Sequence, residues 1–175
     1  EALIVAIGDG DRVALSELYD RFHRDVYRFL GRFVGRNARD VDDLVQQTFI
    51  EVTRAAARFR SDSQVKTWMF GIAANVARHW LRDEVRRRKL LGAAAEVAAV
   101  EATSHASTQH ERSAQLQRAI AALPHDLRVT FVMCAIEEVS GADAAVALGV
   151  PVGTVWRRLH EARNVITTAL RGGKS

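Results

Sequence analysis

Apolar residues recur at steps of three and four along most of the chain, the spacing that lines one side of an α-helix at about 100° per residue. In residues 1–36, Leu15, Leu18, Phe22, Val26, Phe29 and Phe33 keep that step, while Arg21, Arg24, Arg28 and Arg32 take the remaining surface. Gly8, Asp9, Gly10 and Asp11 separate a short first helix from this longer one. After a loop from Gly35 to Asp40, with Asp40 as the expected N-cap, a helix runs to about Phe59. Its inner side is Val41, Leu44, Val45, Thr48, Phe49, Val52 and Ala56; its outer side is Asp43, Gln46, Gln47, Ile50 and Arg54. An outward isoleucine among amides and an acid suits a protein-docking face, with solvated surface as the plain alternative. A polar loop from Arg58 to Gln64, in which Ser61 or Ser63 can cap, leads to a further helix. There Val65, Trp68, Ile72, Val76 and Trp80 are expected inward, and Asn75, Arg78, Arg82, Arg86 and Lys89 form one polar-to-basic edge. A phosphate track wants cations spaced in this way. The basic end, Arg86 to Lys89, is also what the helix dipole favours.

Between Gly92 and about Gln109 the composition shifts to Ala, Glu, Ser and Thr, with no Phe, Trp, Tyr, Lys or Arg. That shift reads as a flexible linker or weak helix between two domains. Helical pattern resumes from Arg112 with Leu116, Ile120 and Leu123, breaks at Pro124, and continues from roughly Asp126 to Glu137. Ser140 then caps a short helix with Ala144, Ala145 and Leu148 inside. Gly149 stands where a C-cap needs a left-handed residue, and Pro151 blocks continuation, so the next helix opens near Val152 or Gly153. This is helix-turn-helix spacing. On the second helix Val155, Leu159, Ala162 and Ile166 share the inner side. Arg157, His160, Glu161 and Asn164 point away, flanked by Trp156 and Arg163 on one side and Arg158 on the other. Such a face can meet base edges and phosphates in a major groove, or be merely solvated. No stretch alternates like a strand, so the expected fold is all-α: two small helical domains joined by a linker.

Composition narrows the function without choosing it. Across 175 residues, 48% are hydrophobic, enough for globular cores. A net charge of +4 is small beside a sequence pI of about 9.8, so local placement of charge carries more information than its sum. The single cysteine, Cys134, excludes an internal disulfide framework and sits in an apolar run that suits a buried thiol. His105 and His110 lack acid or thiol partners at ligand spacing, so no metal is expected. No phosphate loop, nucleophile elbow or HExxH occurs, and neither catalysis, a cofactor nor a small-molecule substrate is expected. Absence of a long apolar run and of a basic-then-apolar start points to the cytoplasm. The chain begins at Glu1 rather than Met, so a few native residues are expected before it.

Two separated stretches resemble one family. Asp42-Asp-Leu-Val-Gln-Gln-Thr-Phe49 and Thr67-Trp-Met-Phe-Gly-Ile-Ala-Ala-Asn75 are similar to the second conserved region of extracytoplasmic-function (ECF) sigma factors of bacterial RNA polymerase. Leu123-Pro124, Gly149-Val-Pro-Val-Gly-Thr-Val155 and Arg158-Leu-His-Glu-Ala-Arg163 resemble their fourth region. The resemblance implies a sigma-2 helical bundle over residues 1–90, a linker over 91–112 and a sigma-4 helix-turn-helix domain over 113–175. It implies a non-catalytic subunit that directs promoter-specific initiation, bound to core polymerase through the β′ clamp helices and β. By position, Asp43, Gln46 and Gln47 would contact polymerase. Arg60, Ser61 and Lys66 would line the site of a flipped minus-ten base, with Asn75 reading a base and Arg78 and Arg82 on the strand backbone. Unstacking costs a few kcal/mol, so such a site needs a preformed polar pocket. Thr154, Trp156, Arg157, Arg158, His160 and Glu161 would meet the minus-thirty-five duplex, with Arg158 and Arg163 nearer phosphates. Relatives commonly carry a basic residue where Trp156 and Glu161 stand. Here Trp156 could touch a thymine methyl and Glu161 accept from a cytosine amino group, or Glu161 could pair with Arg157 one turn earlier. The family further implies an anti-sigma partner, often membrane-linked, which would hold the protein at the inner membrane. A free-standing helix-turn-helix regulator is the competing expectation.

Overall fold

The computed structural model describes residues 1–34, 38–90 and 108–172, and among these the regular structure is helical throughout. Helices α1 (Ala2–Gly8), α2 (Arg12–Val34), α3 (Ala38–Ala55) and α4 (Val65–Leu90) build the N-terminal domain. Helices α5 (Thr108–Ala122), α6 (His125–Phe131), α7 (Gly141–Leu148) and α8 (Val152–Gly172) build the C-terminal one. The linker stretch of the sequence lies outside the described residues up to 107, and 108–112 belong to α5.

Local chemistry sets the helix ends. The Asp11 carboxylate accepts from the backbone N–H groups of Val13 (2.7 Å) and Ala14 (3.2 Å), capping α2. Helix α3 starts at Ala38, so Asp40 lies in its first turn instead of capping it, where a negative charge still complements the dipole. The residues from Asp126 to Glu137 do not continue as one α-helix: α6 widens into a π segment, Val132–Ile136, and Glu138 follows with φ 56°.

The inner face read from the sequence is buried on α3 and the 3-10 turn that follows it, where Val41, Leu44, Val45, Thr48, Phe49, Val52 and Ala56 are at most 5% exposed. Thr48 offsets its burial by donating to the Leu44 carbonyl at 2.7 Å. In the centre of the N-terminal domain Phe29 stacks on Phe70 with centroids 4.5 Å apart, and Phe33 tilts against Phe29 at 5.1 Å.

Helix α4 departs from expectation. Val76 is buried as expected, and Val65, Trp68, Ile72 and Trp80 pack against the core but stay half-buried, while the most buried residues are Met69, Phe70, Ala73, Ala74 and Ala77. The cause is a second covering layer: α4 packs on α2 and α3 and also against α7 of the other domain. A helix buried on two sides uses small residues where a neighbouring backbone comes close. At Gly71 an added Cβ would overlap the carbonyl oxygen of Ala147 in α7. The two domains thus share one continuous core in this arrangement.

Candidate functional site

The outer side of α3 is open. Asp43, Gln46, Gln47 and Ile50 are exposed, Ile50 at 45%, above a fully packed inner face. The Gln47 amide donates to Glu51 at 3.0 Å, and Glu51 pairs with Arg54 at 2.7 Å. The surface is held in place by its own side chains and has no partner within the described chain.

At the start of α4 the loop bearing Arg60 and Ser61 is exposed, and Ser61 adopts φ 57°. A non-glycine residue rarely sits in that left-handed region, which is a form of strain common in ligand-holding loops. Asn75 and Arg82 are exposed on α4, Arg82 donating to the His79 ring at 2.8 Å. Lys66 and Arg78 are not free. Lys66 lies 5.4 Å from the Phe70 ring centroid and pairs with Asp25 at 3.3 Å and Glu137 at 3.8 Å. Arg78 donates to Asp126 Oδ1 at 2.7 Å.

In the C-terminal domain the turn forms as the sequence dictates. Gly149 takes φ 63°, ψ 37°, the Ser140 hydroxyl accepts from the Asp143 N–H at 3.1 Å, and α8 opens at Val152. Val155, Leu159, Ala162 and Ile166 are buried, which leaves Trp156, Arg157, His160, Glu161, Arg163 and Asn164 outward, with Thr154 half-buried. Of the two roles open to Glu161, the structure shows the ion pair with Arg157, at 3.6 Å on an exposed face. The Asn164 amide donates to His160 Nε2 at 3.0 Å. Trp156 is 55% exposed, yet its indole lies on Gly141, where any Cβ would overlap the ring. Arg158 is drawn inward, its side chain 17% exposed, and donates to Asp126 Oδ2 at 2.6 Å.

Three residues around Asp126 carried no signal in the sequence. The Arg128 side chain is half-buried, which lowers its pKa, and it donates to the carbonyls of Leu123 (2.9 Å), Ala121 and Phe33 (3.3 Å). It therefore ties the α5–α6 turn to the end of α2. Glu137 takes Arg32 at 3.3 Å as well as Lys66. His125 lies 5.7 Å from the Phe33 ring, and neither ring nitrogen has a well-formed hydrogen bond. Burial, then Arg78, push the His125 pKa from 6.5 to about 4; Asp126 and the Ala74 backbone pull it up and Arg128 pushes it down. Cys134 is half-buried, and burial raises its thiol pKa against the opposing pull of Arg163.

The His125 environment has a measurable consequence. The unfolded chain binds a proton near pH 6.5 while the folded one resists until about pH 4, so stability is full above pH 6.5 and falls as pH drops between these values. At pH 5 the loss from this one group is about 1 kcal/mol, allowing for solvent around a ring that is only part-buried. Urea titrations of the wild type and His125→Gln at pH 7 and pH 5 should differ by that increment, and equal pH slopes would remove His125 as the cause.

Among the described residues no group of His, Cys, Asp and Glu is placed to hold a metal ion, and no helix is long and apolar enough to cross a membrane. Family models match in two places: sigma-70 region 2 over residues 18–87 and sigma-70 region 4 over residues 113–165. Together they span most of the chain in one order. The ECF RNA polymerase sigma-E factor of Haemophilus influenzae is 31% identical across 98% of this chain and 95% of that protein. The chain belongs to the ECF sigma factors. Solved sigma-factor structures agree with its architecture. CnrH, in complex with the cytosolic domain of CnrY, superposes with a TM-score of 0.69 at 25% identity over 99% of this chain and 97% of that one. The sigma factor RpoE of Bartonella quintana, in complex with the anti-sigma factor NepR, shares the fold at a TM-score of 0.68 and 22% identity, over 89% of this chain and 96% of that one. In this ECF sigma factor, the region 2 match runs over α2, α3 and α4, and the region 4 match over α5, α6, α7 and α8.

Proposed function

We propose that this ECF sigma factor binds core RNA polymerase, directs promoter-specific initiation from the cytoplasm and is held inactive by an anti-sigma factor. The observation that carries it is the presence, in one chain, of an outer face on α3 with no partner among the described residues and an outward recognition face on α8 behind a fully formed turn. Residues 1–90 form the sigma-2 unit, 91–112 the linker and 113–175 the sigma-4 unit. Asp43, Gln46 and Gln47 contact polymerase. Arg60, Ser61, Lys66, Asn75, Arg78 and Arg82 take the melted minus-ten strand. Thr154, Trp156, Arg157, Arg158, His160 and Glu161 take the minus-thirty-five duplex, Arg158 through phosphate. The protein supplies binding and orientation and performs no catalysis, so polymerase does the chemistry. An anti-sigma factor, membrane-linked or free, competes for these same faces; that the similar CnrH is solved in complex with the cytosolic domain of CnrY supports a protein partner of this chain.

The test is single-round transcription from a pool of promoter fragments with core polymerase and the purified chain. Start sites that require both components support the proposal. Specific nanomolar duplex binding by the chain alone, with no transcription, would make it a conventional helix-turn-helix regulator.

A further inference from the structure

The recognition helix carries one large side chain whose placement depends on the helix before it. Trp156 stands on the outward side of α8 and is 55% exposed, yet its indole rests on Gly141, the buried first residue of α7. A Cβ built on Gly141 would stand 2.5 Å from Cζ2 of the indole, and 2.8 and 2.9 Å from Cη2 and Cε2, the two ring atoms bonded to it. Short, near-equal distances to both neighbours put that Cβ above the ring plane, so the indole lies flat on α7 by one face. Its exposure belongs to the other face. The floor beneath the ring is held firmly: the Ser140 hydroxyl accepts from the Asp143 N–H at 3.1 Å and donates to Asp143 Oδ2 at 2.7 Å, fixing the first turn of α7. Polar neighbours on the outward side are already engaged with one another. Arg157 pairs with Glu161 at 3.6 Å, and the Asn164 amide donates to His160 at 3.0 Å. The open indole face adds what those groups lack, a flat apolar surface with an electron-rich ring. In a major groove the matching group is the 5-methyl of thymine, and a ring already held in place meets it at little cost in lost rotamer freedom.

We propose that Gly141 is a positioning residue for base recognition: by lacking a side chain it lets the Trp156 indole lie flat on α7, and the open face of that indole reads a thymine methyl in the minus-thirty-five duplex. The proposal rests on the sigma-factor reading of α8. Even alanine cannot replace the glycine with the ring in place, because its methyl would occupy the position of the indole. The overlapping atoms are, however, the far end of an exposed side chain, so alanine is accommodated when the indole swings off α7, with the helices left where they are. Alanine is also the better helix former. Gly141→Ala therefore separates fold from recognition: stability stays level or rises while the flat ring is lost.

The experiment has two arms, both on the full chain. In the first, the protein is labelled with 5-fluorotryptophan, and the Trp156 signal is identified by its absence from Trp156→Phe. Gly141→Ala should move that fluorine resonance, leave those of Trp68 and Trp80 in place, and unfold in urea at a midpoint no lower than the wild type. A Trp156 resonance that stays put overturns the role of Gly141. In the second arm, holoenzyme with core polymerase transcribes a promoter recovered from the pool, with each minus-thirty-five thymine of either strand replaced in turn by deoxyuridine, which removes the methyl alone. With the wild type, one such replacement should lower initiation about three- to fivefold, the worth of one buried methyl-sized contact. Trp156→Ala and Gly141→Ala should each abolish that difference, although Gly141→Ala keeps the indole. A methyl effect that survives in either variant overturns the proposal, as does a midpoint lowered in Gly141→Ala with base preference unchanged. So does a wild type indifferent to every methyl; a uniform loss in Trp156→Ala would then mark a phosphate contact through Nε1. If the fluorine signal moves as expected in a chain that never starts transcription with core polymerase, the role of Gly141 under the indole stands and the sigma-factor reading falls.

Discussion

Phe29→Ala is expected to cost about 3–5 kcal/mol of folding stability, a large share of the total for a small domain. Phe29 is fully buried and packs face to face with Phe70, with Phe33 against its edge. Truncation removes the transfer energy of the ring, opens a cavity between α2 and α4, and forfeits an aromatic pairing of about 0.5–1.5 kcal/mol. Because α4 lies between the rest of the sigma-2 domain and α7, loosening it also removes the platform on which the sigma-4 domain closes. Urea unfolding followed by circular dichroism should show a midpoint far below that of the wild type, with Phe29→Leu intermediate. An unchanged midpoint would mean that the bundle is organised around something other than the Phe29–Phe70 stack.

Asp43→Ala combined with Gln47→Ala should leave the fold intact and remove activity with polymerase. Both side chains are exposed on α3, and surface substitutions of this kind usually stay within about 0.5 kcal/mol of the wild type. Their value lies in what they present to a partner: a carboxylate and an amide one turn apart, with Ile50 as the apolar element of the same face. Losing two polar anchors from an interface centre is expected to weaken core binding at least about tenfold, or about 1.4 kcal/mol, and transcription with it. The check is a core-polymerase titration beside single-round transcription, with duplex binding by the variant as control. A variant that binds duplex normally yet fails to start transcription locates polymerase contact on α3. Undiminished core affinity would move that contact elsewhere.

Much of the local architecture was legible in the residue pattern. The inner faces of α3 and α8 matched their apolar periodicity because each helix has one covered side, and a one-sided helix writes its burial directly into a three-to-four step. The turn between α7 and α8 was equally plain, since Ser140, Gly149 and Pro151 act through hydrogen bonds and backbone limits within one turn. Helix α4 was legible only in part, for the opposite reason. With partners on two sides its apolar periodicity blurs, and the bulky Trp68 and Trp80 sit at the margins while alanines and Gly71 take the tight contacts. Asp126 entered only as the rough start of a helix, and nothing in its neighbours marked it as a bridge.

The sequence by itself determined the helices, their caps, the helix-turn-helix and the exposed side chains of α3 and α8, because each follows from interactions among residues a few positions apart. Only the tertiary structure decided that Arg78 meets Asp126 across 48 positions and that Arg32 meets Glu137 across 105. Such pairs depend on how two folded units dock, and a charge carries no record of its distant partner until packing brings the two within hydrogen-bond reach.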